Sequence, residues 1–289
     1  MTPPEQKAST PLRRMAPPSP RLSRQILVIL GIEARKRFLG RGAIVLYFLA
    51  AIPVALFGGR LLVGWLTGLH EQPSHDDLVY AALFRTLILR SVVFFGCVAI
   101  FTALFRGEVL DRTLHYYFLA PIRRPVLVVA KYLSGLLATM LLFCGTTAAT
   151  WILFYAAQGR HAVSDRLASG SGLAQLGAYV GVTALGCVGY GAVFLAAGLY
   201  VRNPIIPALL ILGWEGINFL LPPLLKKVSV IHYLDSLCPV SLPPEGPIVI
   251  LADPSSPWVA VPGLLALAAV LLLLSSWRIG RLEVLYGTD

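Results

Sequence analysis

Six stretches of the chain stay apolar for long enough to cross a hydrocarbon layer, and short polar or charged segments separate them. A helix advances about 1.5 Å per residue, so roughly 20 apolar residues make one crossing. The first stretch runs from Ala43 to Trp65, interrupted by Pro53 and by Gly58-Gly59-Arg60. The second covers Ala82 to Phe105, the third Lys131 to Tyr155 and the fourth Leu173 to Tyr200. Ile205 to Leu221 is a short fifth, and Val259 to Trp277 is the sixth. Ahead of these, residues 22–41 have helical spacing, with Leu22, Ile26, Ile29 and Leu30 on one face. Arg24, Glu33, Arg35, Lys36 and Arg37 supply charge there, which predicts an amphipathic helix lying along the membrane surface with its basic groups against anionic lipid. The fold expected is all-α: a polytopic membrane protein with six transmembrane helices in residues 42–289 and an N-terminal amphipathic interfacial helix. Residues 1–21 are Pro-rich and basic, without the apolar core of a cleavable signal, and read as a disordered tail. Between Pro222 and Pro257 the segments LPP, CPVSLPPEGP and ADPSSP predict a loop, with a short interfacial helix around Ser229 to Leu237.

Composition agrees with this pattern: 57% of the residues are hydrophobic and 13% charged, against about 25% charged in a soluble domain. A formal net charge of +10 raises the question of nucleic acid, and the positions of the 24 Lys and Arg answer it. Nine lie in residues 1–42 and five between Arg106 and Lys131, so the basic clusters flank apolar spans. Such flanking charge orients a membrane protein and excludes nucleic acid as the expected partner. With the N-terminus inside, inner segments hold 17 Lys and Arg and outer ones five (Arg60, Arg160, Arg166, Lys226, Lys227), the remaining two being Arg85 and Arg90 of the second span. Both termini are therefore expected in the cytoplasm, with the chain multi-pass in the inner (cytoplasmic) membrane. Cys97, Cys144 and Cys187 fall in apolar runs and Cys238 in a loop, with no metal-ligand spacing, so no metal site is expected.

The segment between the second and third spans, FRGEVLDRTLHYYFLAPIRRPVLVVAKYL, is the most informative. Glu108 is followed by Thr113 five residues later, Pro121 eight later, Arg124 three later and Lys131 seven later. Pro121 and Pro125 bar one continuous helix through both spans. Leu114, Tyr116, Tyr117 and Phe118 form an aromatic and apolar patch beside charge, of the kind that seats in a groove on another protein.

The spacing E-x4-T-x7-P-x2-R-x6-K between two spans resembles that of the type-2 family of ATP-binding-cassette (ABC) transporter permeases. The likeness extends over about residues 22–286 through the span count and the amphipathic N-terminal helix. The chain departs from the pattern at Arg112, where Gly usually precedes the Thr, at Tyr117, where Leu is common, and at Ala130, where Gly usually precedes the Lys. The resemblance implies a permease subunit, most often an exporter, driven by a separate ABC ATPase subunit and working with a second permease copy in a homodimer or heterodimer. It implies that residues 106–125 form a cytoplasmic coupling loop, with Glu108, Arg112, Thr113, Leu114, Tyr117, Phe118, Pro121, Arg124 and Lys131 as the residues coupled to the ATPase. The chain has no G-x-x-x-x-G-K-[ST] loop. No cofactor is therefore expected in it, and ATP and Mg belong to the partner.

Charges inside spans are costly unless paired or wet. Arg90 in the second span and Glu215 near the middle of the fifth are expected to form an intramembrane charge pair, with Arg85 snorkelling to the outer edge. Gly177-x3-Gly181, with Gly189 further along, permits close helix packing, expected within the chain. No catalytic residue is expected. The five histidines are scattered, no G-x-S-x-G elbow occurs, and Glu215 is the only carboxylate deep in a span. A membrane-embedded enzyme and a non-transporting membrane scaffold remain the alternatives.

Overall fold

A computed structural model of the chain describes residues 40–68, 76–104, 124–159, 161–201, 205–217, 222–240 and 256–280, with Gly31, Phe38 and Asn203 as isolated positions. The tail 1–21, nearly all of the amphipathic segment 22–41 and residues 105–123 lie outside this set. Among the described residues every regular element is helical. Helix α1 spans Arg41–Thr67. Helix α2 (Asp76–Leu83), a π-helix (Phe84–Val93) and α3 (Phe94–Phe101) follow end to end as one rod. Helix α4 spans Arg124–Ala156, α5 Ala162–Ala168 and α6 Ser171–Tyr200. Three short helices come next, α7 (Ile205–Gly216), α8 (Pro223–Lys226) and α9 (Val230–Leu237), before α10 (Pro257–Gly280).

Five of these rods are long and apolar enough to cross a membrane: Ala43–Thr67, Asp77–Phe101, Pro125–Ala156, Ser171–Tyr200 and Pro257–Ile279. The chain is thus a helical, multi-pass membrane protein. Helix α7 has 12 residues, a length of about 18 Å, so it covers about half a crossing. The short fifth stretch expected to reach Leu221 is described as helix only to Gly216. Local sequence accounts for several helix ends. Gly68 closes α1 in the left-handed region (φ 67°), donating its N–H to the Gly64 carbonyl, a conformation that an L side chain resists. Pro125 sits in the first turn of α4, where its missing N–H costs no hydrogen bond. Pro53 lies within α1 without ending it, as neighbouring helices permit in apolar surroundings.

Helix α6 is the centre of the bundle and packs against α3, α4, α9 and α10. In its most apolar window 61% of residues are buried, against 22% in α1 and in α10, which are therefore the flanking rods. Small residues let neighbours approach the α6 axis closely. A methyl at Gly191 would stand 2.7 Å from the Phe101 ring, and one at Gly198 would stand 3.0 Å from the Thr102 Cα. Gly189 is covered by Val230 and Leu264, and Gly186 by Leu234, Val93 and Leu89. Gly177 and Gly181 behave differently: nothing lies within 4 Å of either position among the described residues. The intrachain packing expected at Gly177-x3-Gly181 is therefore made by the glycines of the other half of α6. Aromatic rings fill the spaces between rods. Phe94 meets Tyr190 and Phe194 edge-on at 5.3 and 5.1 Å between centroids, a favoured geometry. A second group joins Phe57, Tyr80, Phe154 and Tyr179.

Gly96 shows how tight this packing is. A methyl there would stand 2.0 Å from Phe143 Cζ, and Phe143 is fully buried with no room to retreat. Gly96→Ala is expected to destabilise the purified protein by about 1–3 kcal/mol, read as a lower midpoint of thermal unfolding followed by tryptophan fluorescence. Gly59→Ala, on an open face of α1, should leave that midpoint unchanged or slightly higher.

Candidate functional site

The ten residues Phe84–Val93 (FRTLILRSVV) contain neither Gly nor Pro, yet they wind as a π-helix. The Phe94 N–H reaches the carbonyl of Leu89, five residues back. Ser91 Oγ donates to the carbonyl of Thr86, also five back, at 3.1 Å. Bonding over five residues widens the turn and changes which side chains share a face. In α winding, steps of about 100° would set Arg85 and Arg90 about 140° apart. With about 4.4 residues per π turn they lie about 50° apart. The widened turn therefore sends both guanidiniums toward one side of the rod.

Two carboxylates meet them there. Arg85 Nη2 donates to Asp235 Oδ2 of α9 at 2.7 Å, each side chain about one-fifth exposed. Glu215, the second-last residue of α7, is 5% exposed. Its Oε2 accepts from Tyr190 Oη of α6 at 2.7 Å. The backbone N–H of Ile231, in the first turn of α9, faces the same carboxylate, and the charge of Arg90 acts on it from further away. The expected Arg90–Glu215 pair is thus placed in one cluster without direct contact: Glu215 takes its close bonds from Tyr190, and Arg85 holds the carboxylate on α9. Arg85 Nε and Arg90 Nε are buried without a hydrogen-bond partner among the described residues.

Helix α9 was expected near Ser229 to Leu237 as an interfacial helix; it starts after Ser229 but packs into the bundle. Val230 covers Gly189, Leu234 lies against Gly186, and Tyr233 lies against Gly263 of α10. Ser229 makes no side-chain cap, so Glu215 stands where a capping oxygen would. A carboxylate beside the first-turn N–H groups is favourable there. The cluster therefore ties α6, α7, α9 and the π-helix together near the middle of α6. At the α5 end of the bundle a second polar group links three elements. Tyr155 Oη and Arg166 Nη1 both donate to Asp77 Oδ1, at 2.7 and 3.0 Å, and the Arg166 guanidinium sits 4.1 Å over the Tyr155 ring.

At the opposite end, Glu108, Arg112, Thr113, Leu114, Tyr117, Phe118 and Pro121 lie outside the described residues, and for Arg124 only the backbone, which opens α4, is described. Lys131 is fully buried, and its Nζ donates to the carbonyl of Leu104 at 3.3 Å. A cation bonded to a carbonyl at the C-terminal end of a helical rod complements the helix dipole. Lys131 thus joins the two stems that flank residues 105–123.

Sequence reasoning missed Asp235, Arg85 as its partner, and Tyr190. One signal was available: two arginines five residues apart in an apolar span cannot share a face of an α-helix. Charge reversal separates direct from indirect pairing. Arg85→Asp and Asp235→Arg should each lower the thermal midpoint, because each leaves a partly buried like-charge pair, and the double reversal should recover most of the loss. For Arg90→Glu with Glu215→Arg, the double reversal should be as damaging as the single changes, since Tyr190 and the Ile231 amide fix the sign at Glu215. The chain matches no family model, no curated protein and no solved structure, so its own residues carry the functional reading.

Proposed function

We propose that this chain is the permease subunit of an ABC transporter, working as an exporter driven by a separate ATPase and paired with a second permease copy. The observation that carries the reading is the pattern from Glu108 through Thr113, Pro121 and Arg124 to Lys131, set between two rods that Lys131 bonds together at Leu104. A segment that passes force from a nucleotide-binding subunit to membrane helices needs stems that move as a unit. A buried ammonium bonded across them supplies that.

On this reading Ile205 to Leu221 is the fifth crossing, α7 being its described part, and α9 packs beside its end at Glu215. The count then becomes six, and both termini face the cytoplasm of the inner membrane, as the distribution of Lys and Arg favours. Helix ends that meet around polar groups are suited to a moving pathway, because they offer unpaired backbone groups where the helix stops. Residues 106–125 form the coupling loop, with Glu108, Arg112, Thr113, Leu114, Tyr117, Phe118, Pro121 and Arg124 coupled to the ATPase. ATP and Mg belong to the partner. The apolar lining of the bundle favours a hydrophobic or amphipathic cargo.

The test is a copurified complex with its ATPase subunit in lipid nanodiscs. Phe118→Asp or Leu114→Asp should reduce copurification or permease-dependent ATP hydrolysis at least tenfold. Lys131→Met should retain the ATPase but lose coupling of hydrolysis to export. A cysteine introduced at Tyr117 that reacts only with reagent outside the cell would overturn the reading.

A further inference from the structure

Helix α9 has eight residues, too few to be stable as an isolated helix in water, so its neighbours hold it. Its apolar face (Val230, Ile231, Tyr233 and Leu234) is buried, with Val230 and Leu234 against glycines of α6 and Tyr233 against a glycine of α10. Its polar contacts include the Asp235–Arg85 ion pair, the Glu215 carboxylate at its first turn and the Tyr233 hydroxyl on the Lys227 carbonyl. The first of these depends on the winding of the partner rod. Ten π-wound residues are exceptional, since π-helices occur mostly as single turns and bond less well than α-helices. Nothing in FRTLILRSVV forbids α winding, so the wide turn must be maintained by what its side chains reach. Rewinding to α would carry Arg85 and Arg90 from about 50° to about 140° apart, and only one of them could then face the α7–α9 side.

We propose that Phe84–Val93 is a two-position element whose winding is linked to the docking of α9: π-wound with Arg85 on Asp235 and α9 seated, α-wound with that ion pair broken and α9 released. The incomplete bonding of both guanidiniums fits such an element, because a pair with orphaned donors is cheaper to break than one with every donor satisfied. Arg85 and Arg90 of the π-helix stand with Asp235 of α9 and Glu215 of α7, and Lys226 and Lys227 lie close enough to act on His232 of α9. Each position of the element changes the pairing and not the net charge. The proposal does not rest on the transport reading, and it would hold for a scaffold or an enzyme built on the same bundle.

Linkage is reciprocal, which gives a test with two arms on the full-length chain in nanodiscs, the four native cysteines being replaced. Spin labels at Val79→Cys and Phe95→Cys, two exposed positions flanking the turn, report winding, because ten residues lengthen by about 4 Å from π to α. Labels at Ala168→Cys on α5 and Ser236→Cys on α9 report docking. Asp235→Asn, remote from the π-helix in sequence, should lengthen the 79–95 distance by about 4 Å. Ser91→Ala, which removes only the hydroxyl bond to Thr86, should lengthen or broaden the 168–236 distance. Arg85→Lys, which keeps the charge, should hold the 79–95 distance closer to the wild-type value than Asp235→Asn does. An Asp235→Asn protein with an unaltered 79–95 distance overturns the proposal. If that variant fails to fold, an unaltered 168–236 distance in Ser91→Ala overturns it alone.

Discussion

A charge surrounded by hydrocarbon and protein must find its partners within the chain, because no solvent is at hand to receive it. Arg85, Arg90, Glu215 and Asp235 impose that constraint on this bundle, and much of its irregular geometry follows from it. The second rod departs from α winding where its two arginines lie. Helix α7 stops one residue after Glu215, and α9 begins beside the same carboxylate. Each departure costs backbone hydrogen bonding, and each places a charged or polar partner where the next element needs it.

The rest of the core follows a simpler rule. Lipid chains are as apolar as leucine, so helices in a membrane gain little from burying leucine against one another and much from close approach. Helix α6 shows this rule: its glycines from Gly186 to Gly198 admit side chains and even the backbone of neighbouring rods, and threonines add internal bonds such as Thr147 to Thr183 at 2.9 Å. In the other half Tyr179, Val182 and Thr183 are buried while Gly177 and Gly181 have nothing within 4 Å among the described residues, so that half is packed on one face and open on the other.

How much of this is legible in the sequence depends on the range of the interaction that decides it. The five long rods follow from apolar length, and their boundaries agree with the sequence to within a few residues except in the second and third rods, where α2 and α4 begin ahead of the expected spans. Pro222-Pro223 announces the break after α7, and the buried Val230, Ile231, Tyr233 and Leu234 of α9 are apolar positions on a recognisable helical face. Depth is what the sequence hides. Whether α9 lies on the membrane surface or inside the bundle is decided by Gly186, Gly189 and Gly263, on helices far away in the chain. The same holds for the charges. Asp235 looks like an ordinary loop carboxylate, and its partner Arg85 is 150 residues distant. The π winding has no local cause in FRTLILRSVV, which holds no residue that breaks an α-helix; its one trace in the sequence is the five-residue spacing of Arg85 and Arg90. Of the residues read as coupling to a partner, only Lys131 has a described side chain, and its burial is legible from its place inside an apolar run.

The bond from Lys131 to Leu104 has a mechanical meaning beyond its contribution to stability. Two helices that leave a loop side by side normally splay when the loop is pulled, and the pull is dissipated at their ends. Here the first joint lies inside the protein, with its ammonium sealed from solvent, so the paired ends resist spreading. Spreading the two ends would first have to break that bond, so the rods on either side of residues 105–123 are fastened to each other at their bases.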